Sequence, residues 1–149
     1  MNVYWFQDSK TGHLKQVQAL LDQLKKEIEL SITPINYPNH EGFSNMLANE
    51  NQLDGPSILI GAGHDVYSTI LQAKKYLKKN TTKDVFSIAV LRPSYKLNSF
   101  DLIIAPEHDF RRRRLPKNVI PFQGSLAVIS HHPVDENKAI IAIGGPSKH

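Results

Sequence analysis

The sequence predicts an α/β fold, a mostly parallel sheet with helices on its faces. Short apolar runs of strand length recur along the chain. In the first half they alternate with stretches whose apolar residues return every three or four positions, which is the helical period. Three such strand-then-helix units in succession are the pattern of parallel crossovers.

Val3 to Phe6 is an apolar and aromatic run that stops at Gln7-Asp8-Ser9, and Tyr4 and Trp5 within it read as core residues. Leu14, Val17, Leu21, Leu24 and Ile28 then share one face of a helix running from His13. Lys25 and Lys26 stand near its end, where cations suit the helix dipole. Leu30 to Ile35 alternates apolar and polar residues as a strand does, and breaks at Pro38. Phe43, Met46 and Leu47 suggest a short second helix. Ile58-Leu59-Ile60 is a buried strand closed by Gly61-Ala62-Gly63, and Tyr67, Ile70, Leu71 and Leu77 mark a third helix.

Val85 to Leu91, Leu102 to Ala105, Val119 to Phe122 and Ala139 to Ile143 also read as strands, with little helical periodicity between them. A parallel crossover needs about a dozen residues, and Arg92 to Asp101 barely provides them. These connections are therefore expected to be loops or single helical turns, with one antiparallel pair as the alternative. The last strand runs into Gly144-Gly145-Pro146 with no covering helix after it. The expected division is an N-terminal domain over residues 1–138, with residues 139–149 as the first strand and glycine turn of a second domain.

The 149 residues are 40% hydrophobic and 21% charged, enough apolar residue for a core and too much for disorder. No apolar run approaches the ~18 residues of a membrane span. The N-terminus carries neither the basic segment nor the cleavage site of a secretory signal, so a cytoplasmic location is the default. The absence of cysteine excludes disulfide scaffolds, thiol catalysis and cysteine-based metal sites. Eighteen Lys and Arg against fourteen Asp and Glu give a net charge of +4. Lys74, Lys75, Lys78 and Lys79 read as a solvated helix face. Arg111 to Arg114 repel one another unless an anion is near, and phosphate, a nucleotide or an acidic lipid surface would each serve. Flanked by Phe110 and Leu115, this run suits an anionic membrane surface, with a solvated loop as the plainer alternative. Nucleic acid is not among the expected partners.

Each strand ends in a polar or glycine cluster: Asp8 to His13, Gly61 to Asp65, Arg92-Pro93-Ser94, Pro106 to Asp109, and Gln123-Gly124-Ser125. In a parallel sheet these converge on one rim, where open α/β sheets bind ligands. Turn formation and helix capping explain any one cluster, and five together less well. Gly61-x-Gly63 lacks the third glycine of a dinucleotide fingerprint, since Val66 stands there, and Asp84 opens the next strand rather than closing it. A glycine turn facing an anion remains. Glu107, His108 and Asp109, with His64 and Asp65, have no metal-motif spacing, so no metal is expected. Acid/base chemistry or sugar-hydroxyl binding stands beside a structural role for them. His13 opens the first helix, whose N-terminus favours anions and keeps a nearby imidazole neutral. His131-His132-Pro133 reads as a solvated turn.

Asp8-x-x-x-Gly12-His13-x-x-Gln16, Gly61-Ala62-Gly63, Phe100 to Asp109, Asn118-Val119-Ile120 with Gly124, and Ile143-Gly144-Gly145-Pro146-Ser147 occur in this order over nearly the whole chain. The set resembles the mitochondrial-fission "elongated mitochondria" family, with Asp101 to Asp109 its most specific stretch. That family looks like GT-B glycosyltransferases, in which two Rossmann-like domains face a cleft. The resemblance implies a three-layer Rossmann-like, acceptor-side N-terminal domain of a GT-B-like two-domain protein, the donor-side domain opening at Ile140. It implies transfer of a sugar from a nucleotide-sugar donor to an unknown, lipid-linked or other acceptor, with no tightly bound cofactor. The catalytic candidates are His13, Glu107 and His108. The ligand-binding candidates are Asp8, Gly12, Gly61, Gly63, His64, Arg92, Asp109, Gly124, Gly144 and Gly145. An epimerase, a label carried by some bacterial relatives, would need a glycine fingerprint and a Tyr-x-x-x-Lys after a strand, and neither is present. The alternative to an enzyme is a non-catalytic adaptor or peripheral membrane protein, because plant members recruit the fission machinery to mitochondria.

Overall fold

The computed structural model describes residues 1–38, 45, 55–110 and 114–128. Among the described residues six strands form one open sheet: β1 (Asn2–Gln7), β2 (Ser31–Asn36), β3 (Ser57–Ala62), β4 (Val85–Val90), β5 (Leu102–Pro106) and β6 (Val119–Phe122). Their order is β2-β1-β3-β4-β5-β6, and every pairing is parallel. Two long helices among the described residues, α1 (Thr11–Glu27) and α2 (His64–Asn80), complete a three-layer Rossmann-like α/β domain.

Side-chain alternation along the strands sorts the core into two layers. Val3 and Trp5 of β1 pack with Ile60, Ala62, Ile88 and Val90 and with Val17 and Leu21 of α1. Tyr4 and Phe6 face the other way, onto Leu59, Ala89 and Ile103 and onto Val66, Tyr67, Ile70, Ala73 and Leu77 of α2. Burying an aliphatic side chain such as Leu21, 1% exposed, is worth roughly 1.5–3 kcal/mol. On the α1 side the sheet runs on past the helix, and Phe86 and Ile120 are 44% and 53% exposed there.

The connections β4–β5 and β5–β6 are short, and their described residues carry 3-10 turns at Leu97–Ser99 and Glu107–Phe110. Both pairs are parallel, so the antiparallel alternative is not adopted.

Two side chains depart from the sequence reading. Ile28 lies just past the end of α1 in extended backbone and is 42% exposed. The helix must stop there for the chain to reverse into β2. Lys74 does not belong to a solvated face: its side chain is 13% exposed, 2.8 Å from Oδ2 of Asp101, and it donates to the Ser99 carbonyl at 2.8 Å. α2 lies across the entry to β5, so a lysine at this position reaches an acid and a carbonyl that distant sequence supplies.

The helix expected on Phe43, Met46 and Leu47, the turn at His131-His132-Pro133, the strand Ala139 to Ile143 and the boundary at 138 lie outside the described residues. Among the described residues, no helix is long and apolar enough to cross a membrane.

Candidate functional site

The strand order places the site. From β1 the chain passes through α1 to β2 on one side, and from β3 through α2 to β4 on the other. The two connections diverge above the adjacent carboxyl ends of β1 and β3, which opens the crevice where such sheets bind ligands. Asp8, Lys10, Gly12 and His13 leave β1 at this point, and Gly63, His64 and Asp65 leave β3.

Asp8 and His13 form a pair there. The Asp8 side chain is 3% exposed, and its Oδ2 lies 2.6 Å from Nδ1 of His13, itself 22% exposed. Oδ1 accepts the Lys10 amide at 3.0 Å, a turn that holds the carboxylate against the start of α1. A carboxylate only accepts, so the proton of this bond sits on Nδ1 and Nε2 is left as the basic nitrogen. Gly63 seals the pair from the β3 side. Its φ is +100°, and a Cβ would collide with the His13 ring and the Asp8 carboxylate. Gly61 permits the close packing beneath, since a Cβ there would lie 2.7 Å from the Phe6 carbonyl. Lys10 reaches across to Asp65 at 3.3 Å, with both side chains about half exposed. Such a pair contributes little to stability, at most about 1 kcal/mol.

A second group stands at the end of β4. His64 Nε2 and Ser94 Oγ are 2.7 Å apart, and the His64 ring lies beside Tyr95 and Tyr67. The Tyr67 hydroxyl donates to the carbonyls of Val90 at 2.6 Å and Leu91 at 3.0 Å. Burial pushes this phenol above its ordinary pKa, so it stays a neutral donor. Leu91 is held at φ 71°, a left-handed conformation that costs a non-glycine residue about 1–2 kcal/mol. The turn delivers Arg92 over the Phe110 ring, guanidinium carbon to centroid 5.4 Å. Nε of Arg92 is buried without a hydrogen-bond partner among the described residues.

Glu107, His108 and Asp109 form the exposed turn after β5. Nε2 of His108 is 3.6 Å from Oδ1 of Asp109, and Gln123 donates to Glu107 at 3.5 Å. Strands β3 and β4 stand between β1 and β5, three strand spacings or about 14 Å. The structure brings His13 together with Asp8, and not with Glu107 or His108. Gly12 lies in open space and lines a groove of about 390 Å³ with Lys15, Gln16 and Leu126. Gly124 occupies a turn after β6 with φ 80°. Arg111, Arg112, Arg113, Gly144 and Gly145 lie outside the described residues, while Arg114 is exposed. Among the described residues, no group of three His, Asp or Glu side chains is arranged to hold a metal ion.

Ser94 and the Tyr67 hydroxyl did not stand out in the sequence. Ser94 carries a faint signal, its place in a strand-end cluster. Tyr67 carries none, because it sits at an apolar position of the helical period.

Comparison with known proteins places the chain in one group. The family model of mitochondrial fission ELM1 matches residues 11–149. Mitochondrial fission protein ELM1 of Arabidopsis thaliana is 31% identical over 70 residues, 47% of this chain and 16% of that protein. The match thus spans about a sixth of this relative's length. No solved structure matches.

Proposed function

The chain belongs to the mitochondrial fission ELM1 family, and on that footing we propose that it is the acceptor-side half of a GT-B-like glycosyltransferase whose Asp8–His13 pair activates the acceptor. The single observation that carries this reading is the 2.6 Å contact between buried Asp8 and His13 at the sheet's switch point. Nε2 of His13 removes the proton from an acceptor hydroxyl as its oxygen bonds to the anomeric carbon of the donor sugar. The bond from that carbon to the nucleoside diphosphate breaks, and the diphosphate leaves with the electron pair. Asp8 fixes the ring and stabilises the imidazolium that results. The donor side of the cleft would come from the rest of a longer protein, and the nucleotide sugar is a substrate rather than a bound cofactor.

Thermal melting of the full-length protein against a panel of nucleotides tests this. A ligand at a hundred times its dissociation constant raises stability by about 2.7 kcal/mol. A shift with a uridine or guanosine nucleotide is expected, and no shift with any of them would count heavily against the reading.

The run Arg111 to Arg114 supports a second reading, a non-catalytic adaptor or peripheral membrane protein. Sedimentation of the full-length protein with anionic vesicles separates the two. Binding that survives alanine at Arg111, Arg112, Arg113 and Arg114 together would remove that run as the anchor.

A further inference from the structure

A guanidinium is never deprotonated, and its planar fork of donors matches an oxyanion. Nε of Arg92 is buried and has no hydrogen-bond partner among the described residues. Buried donors are rarely left unpaired in folded proteins, because they lose water and gain nothing in return. The side chain is also built into place. Tyr67 ties down the Val90 and Leu91 carbonyls, Leu91 takes the left-handed turn, and Phe110 supports the guanidinium. The turn lies at the carboxyl end of β4, next to β3 in the sheet, on the same rim as the Asp8–His13 pair. A left-handed residue held beside a buried donor with no partner among the described residues, at the carboxyl rim of the sheet, points to a functional constraint.

We propose that Arg92 recognises a phosphate group of the acceptor. A phosphate offers a guanidinium the same paired acceptor oxygens as a carboxylate and can carry a second negative charge, so it draws the stronger attraction. The phosphate-binding claim stands on Arg92 alone. Calling the ligand the acceptor rests on the transferase reading above.

The test is calorimetric titration of the full-length protein with inorganic pyrophosphate, and separately with acetate, at constant ionic strength. Arg92→Gln is expected to weaken pyrophosphate at least tenfold, about 1.4 kcal/mol, with Arg92→Lys in between and Lys75→Gln unchanged. Phenylglyoxal modification of the unmutated protein, mapped by peptide mass spectrometry, gives a reading independent of variant folding: pyrophosphate should protect Arg92. Vesicles of phosphatidylcholine with and without phosphatidic acid separate a lipid-borne phosphate from a soluble one, and Arg92-dependent binding of either supports the site. Equal pyrophosphate affinity in Arg92→Gln, no protection of Arg92, or acetate binding as tight as pyrophosphate would each overturn it. Arg92-dependent pyrophosphate binding in a protein that no nucleotide stabilises would retain the anion site and discard the transferase.

Discussion

His13 Nδ1 lies 2.6 Å from Asp8 Oδ2. The two stand five positions apart in sequence, spanning the turn from β1 into α1, and Gly63 of the neighbouring strand connection closes over both. The imidazole is therefore fixed from two strand ends at once, a constraint that the proposed general base requires.

Asp8→Asn keeps the shape and the acceptor for the Lys10 amide but removes the charge that orients and stabilises the ring. On the proposed transferase reading, turnover of the donor sugar, with or without acceptor, should fall by roughly 10²–10⁴. KM and the melting temperature should change little. An unaltered kcat in this variant would exclude the pair from the chemistry.

Gly63→Ala places a Cβ against His13 and Asp8 in backbone at φ +100°. It should destabilise the full-length protein by about 1–3 kcal/mol in urea unfolding. Gly12→Ala meets nothing within 4 Å and sits in a helix, so it should be neutral or stabilise by up to about 1 kcal/mol. Equal effects of the two would contradict the close packing at Gly63.

Asp101 accepts from the Ser87 amide at 2.7 Å, the Ser87 hydroxyl at 2.8 Å and Lys74. Burial alone would raise its pKa, but these donors outweigh burial and hold the carboxyl below the ordinary value. A depressed carboxylate stabilises the fold above its unfolded pKa of about 3.9, and that stability is lost as pH falls through the folded value. Asp101→Asn should lower the urea midpoint at pH 7, and the gap from the unmutated protein should close as pH drops below about 4. A gap that persists unchanged to the lowest pH would show that charge plays no part.

Tyr67→Phe removes the donor to the Val90 and Leu91 carbonyls from a buried position. Leaving those groups unmet should cost about 1–3 kcal/mol in unfolding free energy. Because the turn also aims Arg92, pyrophosphate affinity should weaken in this variant while Arg92 itself is intact. Full affinity together with reduced stability would mean that the tyrosine supports the core and not the turn.

The strand and helix periods, and with them the α/β class, can be read from the residues alone. Val3 and Trp5 against Tyr4 and Phe6 is an alternation legible without coordinates, because side-chain direction along a strand is local geometry. The strand-end clusters were legible too, since a parallel sheet turns every strand's carboxyl end to one rim. The order of strands on that rim was not, because it follows from long-range packing of both sheet faces. Only the tertiary structure set β3 beside β1 and moved β5 three positions away. That separation is why His13 is partnered by Asp8 and not by Glu107 or His108. The adjacency of β5 to β4 also drew Lys74 from an apparently solvated face onto Asp101, and brought Phe110 beneath Arg92 from eighteen residues further along the chain.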